Sequence, residues 1–192
     1  MKKFSVIVVI SAILQIAMIG YVFAGNNFRV SADPLAALEL PIPENAVDKT
    51  YLGLTGTGTF RLPQVRAQVL LIEIFSMYCP ICQAEAPVVN ELFQLIEGNP
   101  DTRSKVKLIG IGAGNTPFEV DVFRKKYGVK FPMFADDNML IRKAASEDIR
   151  TPTFVALKIE AGKIVSVLPA HVGQIKDANA FLKALFPDNS PN

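Results

Sequence analysis

Cys79 and Cys82 stand in the run Cys79-Pro80-Ile81-Cys82, and the chain has no other cysteine. Two thiols separated by two residues can pass electrons by disulfide exchange, provided that one of them is held as a thiolate. A free cysteine has a pKa of about 8.5, so the attacking sulfur needs an environment that lowers it. The local sequence supplies one. Val69 to Phe75 is an apolar, β-branched run, and helical spacing begins directly after the cysteine motif. Cys79 is therefore expected at the amino end of a helix, where unpaired backbone N–H groups and the helix dipole favour negative charge and Pro80 suits the first turn. Cys82, one turn further in, is expected to be shielded and to act as the resolving thiol.

Other uses of two thiols fit less well. A structural zinc site needs two more ligands, and the chain offers a single histidine, His171, and no further cysteine. A structural disulfide across two residues closes too small a loop to add much stability. The expected centre is a dithiol whose oxidised form is the Cys79–Cys82 disulfide, with no other cofactor and no metal.

The elements that must hold this centre can be read from the pattern. The strand over 68–75 is apolar on both faces, as in a strand covered on both sides. Ile81, Ala84, Val88, Leu92 and Leu95 recur at helical spacing up to Gly98-Asn99-Pro100, with Pro87 inside. A strand is expected over 105–112. Thr116, Pro117 and Glu119 form a helix start with a cap, a proline in the first turn and a capping-box acid, and Gly128 ends that helix. A short helix follows at 139–145. Strands over 153–159 and 163–168 are joined by Glu160-Ala161-Gly162, and a final helix shows Ala178, Phe181, Leu182 and Leu185 on one face. Ahead of these, Tyr51 to Leu54 and Thr59 to Leu62 flank Thr55-Gly56-Thr57-Gly58 and read as an N-terminal β-hairpin. The alternation of strands and helices with a terminal hairpin is an α/β plan with a mixed sheet.

Phe75-Ser-Met-Tyr-Cys79-Pro-Ile-Cys82, Pro87 eight residues past the first thiol, and Thr151-Pro152-Thr153-Phe154 opening a later strand together resemble the thioredoxin superfamily. The segment Lys126-Tyr-Gly-Val-Lys-Phe-Pro-Met-Phe-Ala-Asp136 is similar to its TlpA-like, or redoxin, branch, which carries an extra strand-helix unit between the cysteine motif and the proline. The resemblance covers roughly residues 45 to 187. It implies a thioredoxin-like fold, a central mixed sheet flanked by helices. It also implies that Pro152 is a cis proline facing the thiols, with Thr151 presenting its backbone to a substrate strand. Glu73, six residues before Cys79, takes the place of a buried acid beneath the disulfide, where desolvation would raise its pKa and make it a proton partner for Cys82. Tyr78 stands where many relatives have Trp, next to Cys79, in a chain without Trp.

Hydrophobic residues make up 50% of the 192, enough for one well-buried core, and residues 51–188 are expected to form a single domain. The net charge of +2, with no Lys/Arg stripe interleaved with aromatics, gives no reason to expect nucleic acid as a partner. Met1-Lys2-Lys3 precedes an uncharged apolar stretch running to Phe28, which reads as an export segment over residues 1–24, a cleaved signal or an uncleaved membrane anchor. Residues 25–50, with Pro34, Pro41 and Pro43, read as a linker.

The function expected is extracytoplasmic thiol-disulfide exchange with client proteins. In this reading the protein is a reductase resupplied by a membrane dithiol donor. A DsbA-like oxidase shares the chemistry and runs it the other way. A peroxiredoxin-type peroxidase has Ser76 three residues before Cys79 in its favour, but Ile72 stands where its motif proline belongs. A copper-delivery module using both thiols and His171 is the remaining alternative.

Overall fold

A strand as apolar as Val69–Phe75 needs neighbours on both edges and cover on both faces, and the computed structural model gives it both. The structure describes residues 31–145, 149–168 and 171–186. The expected export segment, residues 1–24, lies outside them. Among the described residues no helix is long and apolar enough to cross a membrane.

In chain order the first elements are α1 (Ala32–Ala37), β1 (Glu39–Pro41), α2 (Ala46–Leu52), β2 (Thr59–Arg61) and a tight 3-10 turn at Leu62–Gln64. Next come β3 (Val69–Phe75), α3 (Pro80–Gly98), α4 (Pro100–Lys105), β4 (Val106–Ala113) and α5 (Pro117–Tyr127). The chain closes with β5 (Met133–Asp136), α6 (Leu140–Ala145), β6 (Thr153–Glu160), β7 (Lys163–Val167), β8 (His171–Val172) and α7 (Ala178–Leu185). The main sheet has the order β5-β4-β3-β6-β7, with β8 also on β6. β3, β4 and β5 are parallel, whereas β6 runs antiparallel to β3 and β7 antiparallel to β6. The sheet is mixed, as the sequence predicts, and the extra strand-helix unit is β5–α6.

Alternation along β3 divides the core. Leu70, Ile72 and Ile74 face a cluster that includes Leu35, Leu40, Leu52, Phe60 and Ile141. Leu71 and Phe75 face the other layer, where Cys82, Val89 and Leu92 of α3 and Phe123 of α5 pack. Glu73 has the parity of that second face and points to the α3 side. The buried stripe of α3 is Cys82, Glu85, Ala86, Val89, Leu92 and Ile96. It is rotated from the expected stripe, and Ile81 stands exposed. Both sets have helical spacing, and the sheet chose between them. Helix α3 continues through Pro87 to Gly98.

The N-terminal reading needs correction in two places. Residues 32–50 of the expected linker, together with Tyr51 and Leu52, form α1, β1 and α2, and this segment buries Leu35, Leu38, Leu40 and Leu52. The prolines that argued against structure sit where they cost little, Pro34 in the first turn of α1 and Pro41 at the end of a short strand. The hairpin expected between 51–54 and 59–62 does not form. Tyr51 and Leu52 end α2, and Thr59–Arg61 pairs antiparallel with Glu39–Pro41 instead. Tyr51 explains why it belongs to a helix. Strand β5 pairs only from Gly110 onward, which leaves Leu108 without a strand partner on that side. The Tyr51 hydroxyl accepts from Leu108 N at 2.8 Å and donates to Leu108 O at 3.4 Å, closing that gap. Asp48 of α2 is buried and paired with Arg124 of α5 at 3.0 Å, a second tie between this extension and the domain.

Candidate active site

Cys79 is the N-cap of α3, with Pro80 in the first turn behind it. Its Sγ accepts from the Cys82 backbone N–H at 3.4 Å and donates to the Thr151 carbonyl at 3.3 Å. Both cysteines are free thiols; Cys79 is half-buried and Cys82 buried. Their environments push them apart. Partial desolvation alone would raise Cys79, but hydrogen bonds from the Cys82 side chain and N–H, from the Thr151 side chain and from the Ile81 N–H outweigh it and hold the thiol below its ordinary value. Cys82 goes strongly upward, first from burial and then from its hydrogen bond to Cys79. One sulfur is accessible and acidic, the other enclosed and protonated.

Two carboxyls are buried nearby, Glu73 close enough to act on Cys82 and Glu85 close enough to act on Glu73. Glu73 on β3 is buried, and desolvation, with Glu85 nearby, pushes it up to about 8. Glu85 on α3, one turn past Cys82, is also buried and is raised by desolvation to about 7, although the Ile175 N–H donates to its Oε1. Its Oε2 has no hydrogen-bond partner among the described residues. Burial of that oxygen without a donor disfavours the ionised form and agrees with the upward shift. Sequence reasoning found Glu73 and missed Glu85. The signal was present: an acid three residues after Cys82 falls on the helix face that the thiol itself occupies, but with the stripe drawn through Ile81 and Ala84 it looked solvent-facing.

The loop that delivers Cys79 is gripped from three sides. Cys79 N donates to Ser76 O at 3.0 Å. Met77 N–H donates to the buried Asn115 Oδ1 at 2.8 Å, and Met77 C=O accepts from Gln83 Nε2 at 2.7 Å. Tyr78, 66% exposed, turns its hydroxyl to donate to Glu119 Oε1 at the start of α5. The Thr151–Pro152 bond is cis, as the resemblance implied, and brings Thr151 to Cys79 from the strand that follows. Five of the six sequence-predicted residues thus meet within one locality: Cys79 and Thr151 partly exposed, and Cys82, Pro152 and Glu73 buried behind them. Tyr78 flanks it. His171 lies elsewhere, its ring against Phe181 at 5.4 Å and its Nε2 3.3 Å from Gln174 O. Among the described residues no group of three His, Cys, Asp or Glu is placed to hold a metal ion.

Residues 41–153, well over half of the chain, match the sequence profile of the AhpC/TSA family. The chain belongs to the AhpC/TSA family. Its curated relatives include a thiol-disulfide oxidoreductase ResA of Halalkalibacterium halodurans, 25% identical over 189 residues and 97% of both chains. A second, ResA of Geobacillus kaustophilus, is 25% identical over 138 residues, 71% of this chain and 72% of that one. Among solved structures, a thiol-disulfide isomerase from Corynebacterium glutamicum has a TM-score of 0.52 at 21% identity, covering 82% of this chain and 97% of that one. A secreted disulfide oxidoreductase of Mycobacterium tuberculosis has a TM-score of 0.52 at 15% identity, covering 79% and 95%. These likenesses fix the fold as thioredoxin-like, and this AhpC/TSA protein is an oxidoreductase of the thiol-disulfide class.

Proposed function

We propose that the protein is an exported reductase of client protein disulfides, with Cys79 attacking and Cys82 resolving. The observation that carries this reading is the asymmetry of the two thiols, one accessible with a lowered pKa and one buried with a raised pKa. The Cys79 thiolate attacks one sulfur of a client disulfide. The client's other sulfur leaves as a thiolate and takes a proton, and a Cys79–client mixed disulfide remains. Cys82 then gives its proton to the buried carboxyl pair, in whichever of Glu73 and Glu85 is ionised, and attacks Cys79. The client's second thiol departs, and the protein is left with a Cys79–Cys82 disulfide. Two electrons and two protons have gone to the client, and a dithiol donor, most simply one at the membrane, must return them.

The Thr151 carbonyl accepts from Cys79 Sγ, and in this reading an extended client segment lies along Thr151 and Pro152, with Tyr78 beside it. The export reading rests on Lys2-Lys3 and the apolar stretch behind them. The relatives named as thiol-disulfide oxidoreductases support the chemistry.

The test is exchange with a protein disulfide, using insulin. Cys79→Ser should abolish it, and Cys82→Ser should stall at a mixed disulfide visible on a non-reducing gel. A Cys79→Ser protein with normal exchange would remove the reading. Direction is tested separately: a reduction potential near about −270 mV fits a reductase and one near about −120 mV an oxidase.

A further inference from the structure

Glu119 occupies two roles with its two carboxylate oxygens. Oε2 accepts from Thr116 N at 2.7 Å and from Thr116 Oγ1 at 3.0 Å, closing the capping box that starts α5. Oε1 is left pointing outward, and the Tyr78 hydroxyl donates to it. The cap holds the carboxylate in one orientation, so the acceptor offered to Tyr78 is fixed to a helix end and not to a mobile side chain. The same corner also holds the loop through Asn115, whose Oδ1 accepts from Met77 N–H at 2.8 Å. Met77 and Tyr78, the two residues before Cys79, are thus both tied to residues 115–119. Without its hydroxyl bond Tyr78 is a 66% exposed side chain next to a nucleophile, free to change rotamer. With it, the ring of the residue that precedes Cys79 is tied to the start of α5.

We propose that Glu119 is a positioning residue that sets selectivity for protein clients by holding the Tyr78 ring in place beside Cys79. The inference rests on the reading of the protein as a thiol-disulfide oxidoreductase acting on protein substrates. A preset ring costs a client less on docking than one that must be ordered by the client, so its effect falls on KM and not on the chemical step. A small disulfide that does not touch the ring gains nothing from it. Protein selectivity is therefore the quantity that Glu119 governs.

The test measures kcat and KM for insulin and for glutathione disulfide with dithiothreitol as the recycling reductant, the uncatalysed rate being subtracted. Tyr78→Phe and Glu119→Ala should each raise KM for insulin about threefold to tenfold, the loss expected when an immobilised side chain is set free. The ratio of insulin to small-disulfide efficiency should fall by the same factor. In the double variant Tyr78→Phe/Glu119→Ala the rise should be no larger than in either single one, since both remove one contact. Asp177→Ala, which removes the cap of α7 at the Ala180 N–H, provides a comparable loss of helix capping away from Tyr78 and should lower the melting temperature without moving KM. Additive KM effects, an unchanged KM, or an equal rise in Asp177→Ala would overturn the inference. A wild-type protein that exchanged with neither disulfide would overturn the proposed function itself.

Discussion

Glu73 and Glu85 sit in one buried place with Cys82, and their cost and their use have the same origin. Each is neutral when protonated and expensive when ionised, because no water reaches it. For Glu73 the folded value of about 8 stands above the unfolded carboxylate range. Below that range both states carry the proton and nothing is lost. As pH rises from about 4.5 to 8 the unfolded chain gives up its proton first, so stability falls through that window and levels off above it. Glu73→Gln should remove the penalty. We expect its urea-derived stability to equal the wild type near pH 4.5 and to exceed it by roughly 2–5 kcal/mol near pH 8.5. The same variant should slow release of the client from the mixed disulfide. Glu73 was legible in the sequence because an acid interrupts an apolar strand. Glu85 was not, because helical periodicity alone cannot tell which of two adjacent stripes faces the sheet.

At the scale of the elements, the strand-to-helix turn depends on a neighbour that is far away in sequence. The Met77 peptide is fixed by Asn115, and Asn115 can lie there because Gly112 carries no side chain. A Cβ at Gly112 would come 2.9 Å from Val120 Cγ2 and 3.1 Å from Asn115 Cβ. Gly112→Ala is therefore expected to push α5 and Asn115 off the sheet, with a loss of about 1–3 kcal/mol in a denaturant titration. Exchange activity should fall with it, since the loop ahead of Cys79 loses a hold. The start of α5 was fully visible beforehand, as Thr116, Pro117 and Glu119 state their roles in order. That Glu119 also reaches Tyr78 was not visible, since a contact across 41 residues leaves no local mark.

The whole molecule is larger than the sequence pattern outlined. A boundary at residue 51 would leave Leu35, Leu38 and Leu40 out of the core and strip β1 from β2. A chain starting at residue 51 should melt about 10 °C or more below one starting at residue 31, or precipitate, in a thermal scan followed by circular dichroism. Equal melting temperatures would show that the N-terminal elements are decoration.

The divide between what the sequence determined and what the tertiary structure decided follows from range. Patterns that act over a few residues were sufficient for the thiol pair at a helix start, the apolar central strand, the cap of α5 and the terminal hairpin, because propensity, capping and alternation are local forces. Three matters required the folded chain: that 32–52 belongs to the core, that a buried Glu85 lies close to Glu73, and that Glu119 accepts from Tyr78. In each, burial or a hydrogen bond is supplied by a partner distant in sequence. A short or proline-bearing segment has little preference of its own until that partner is in place.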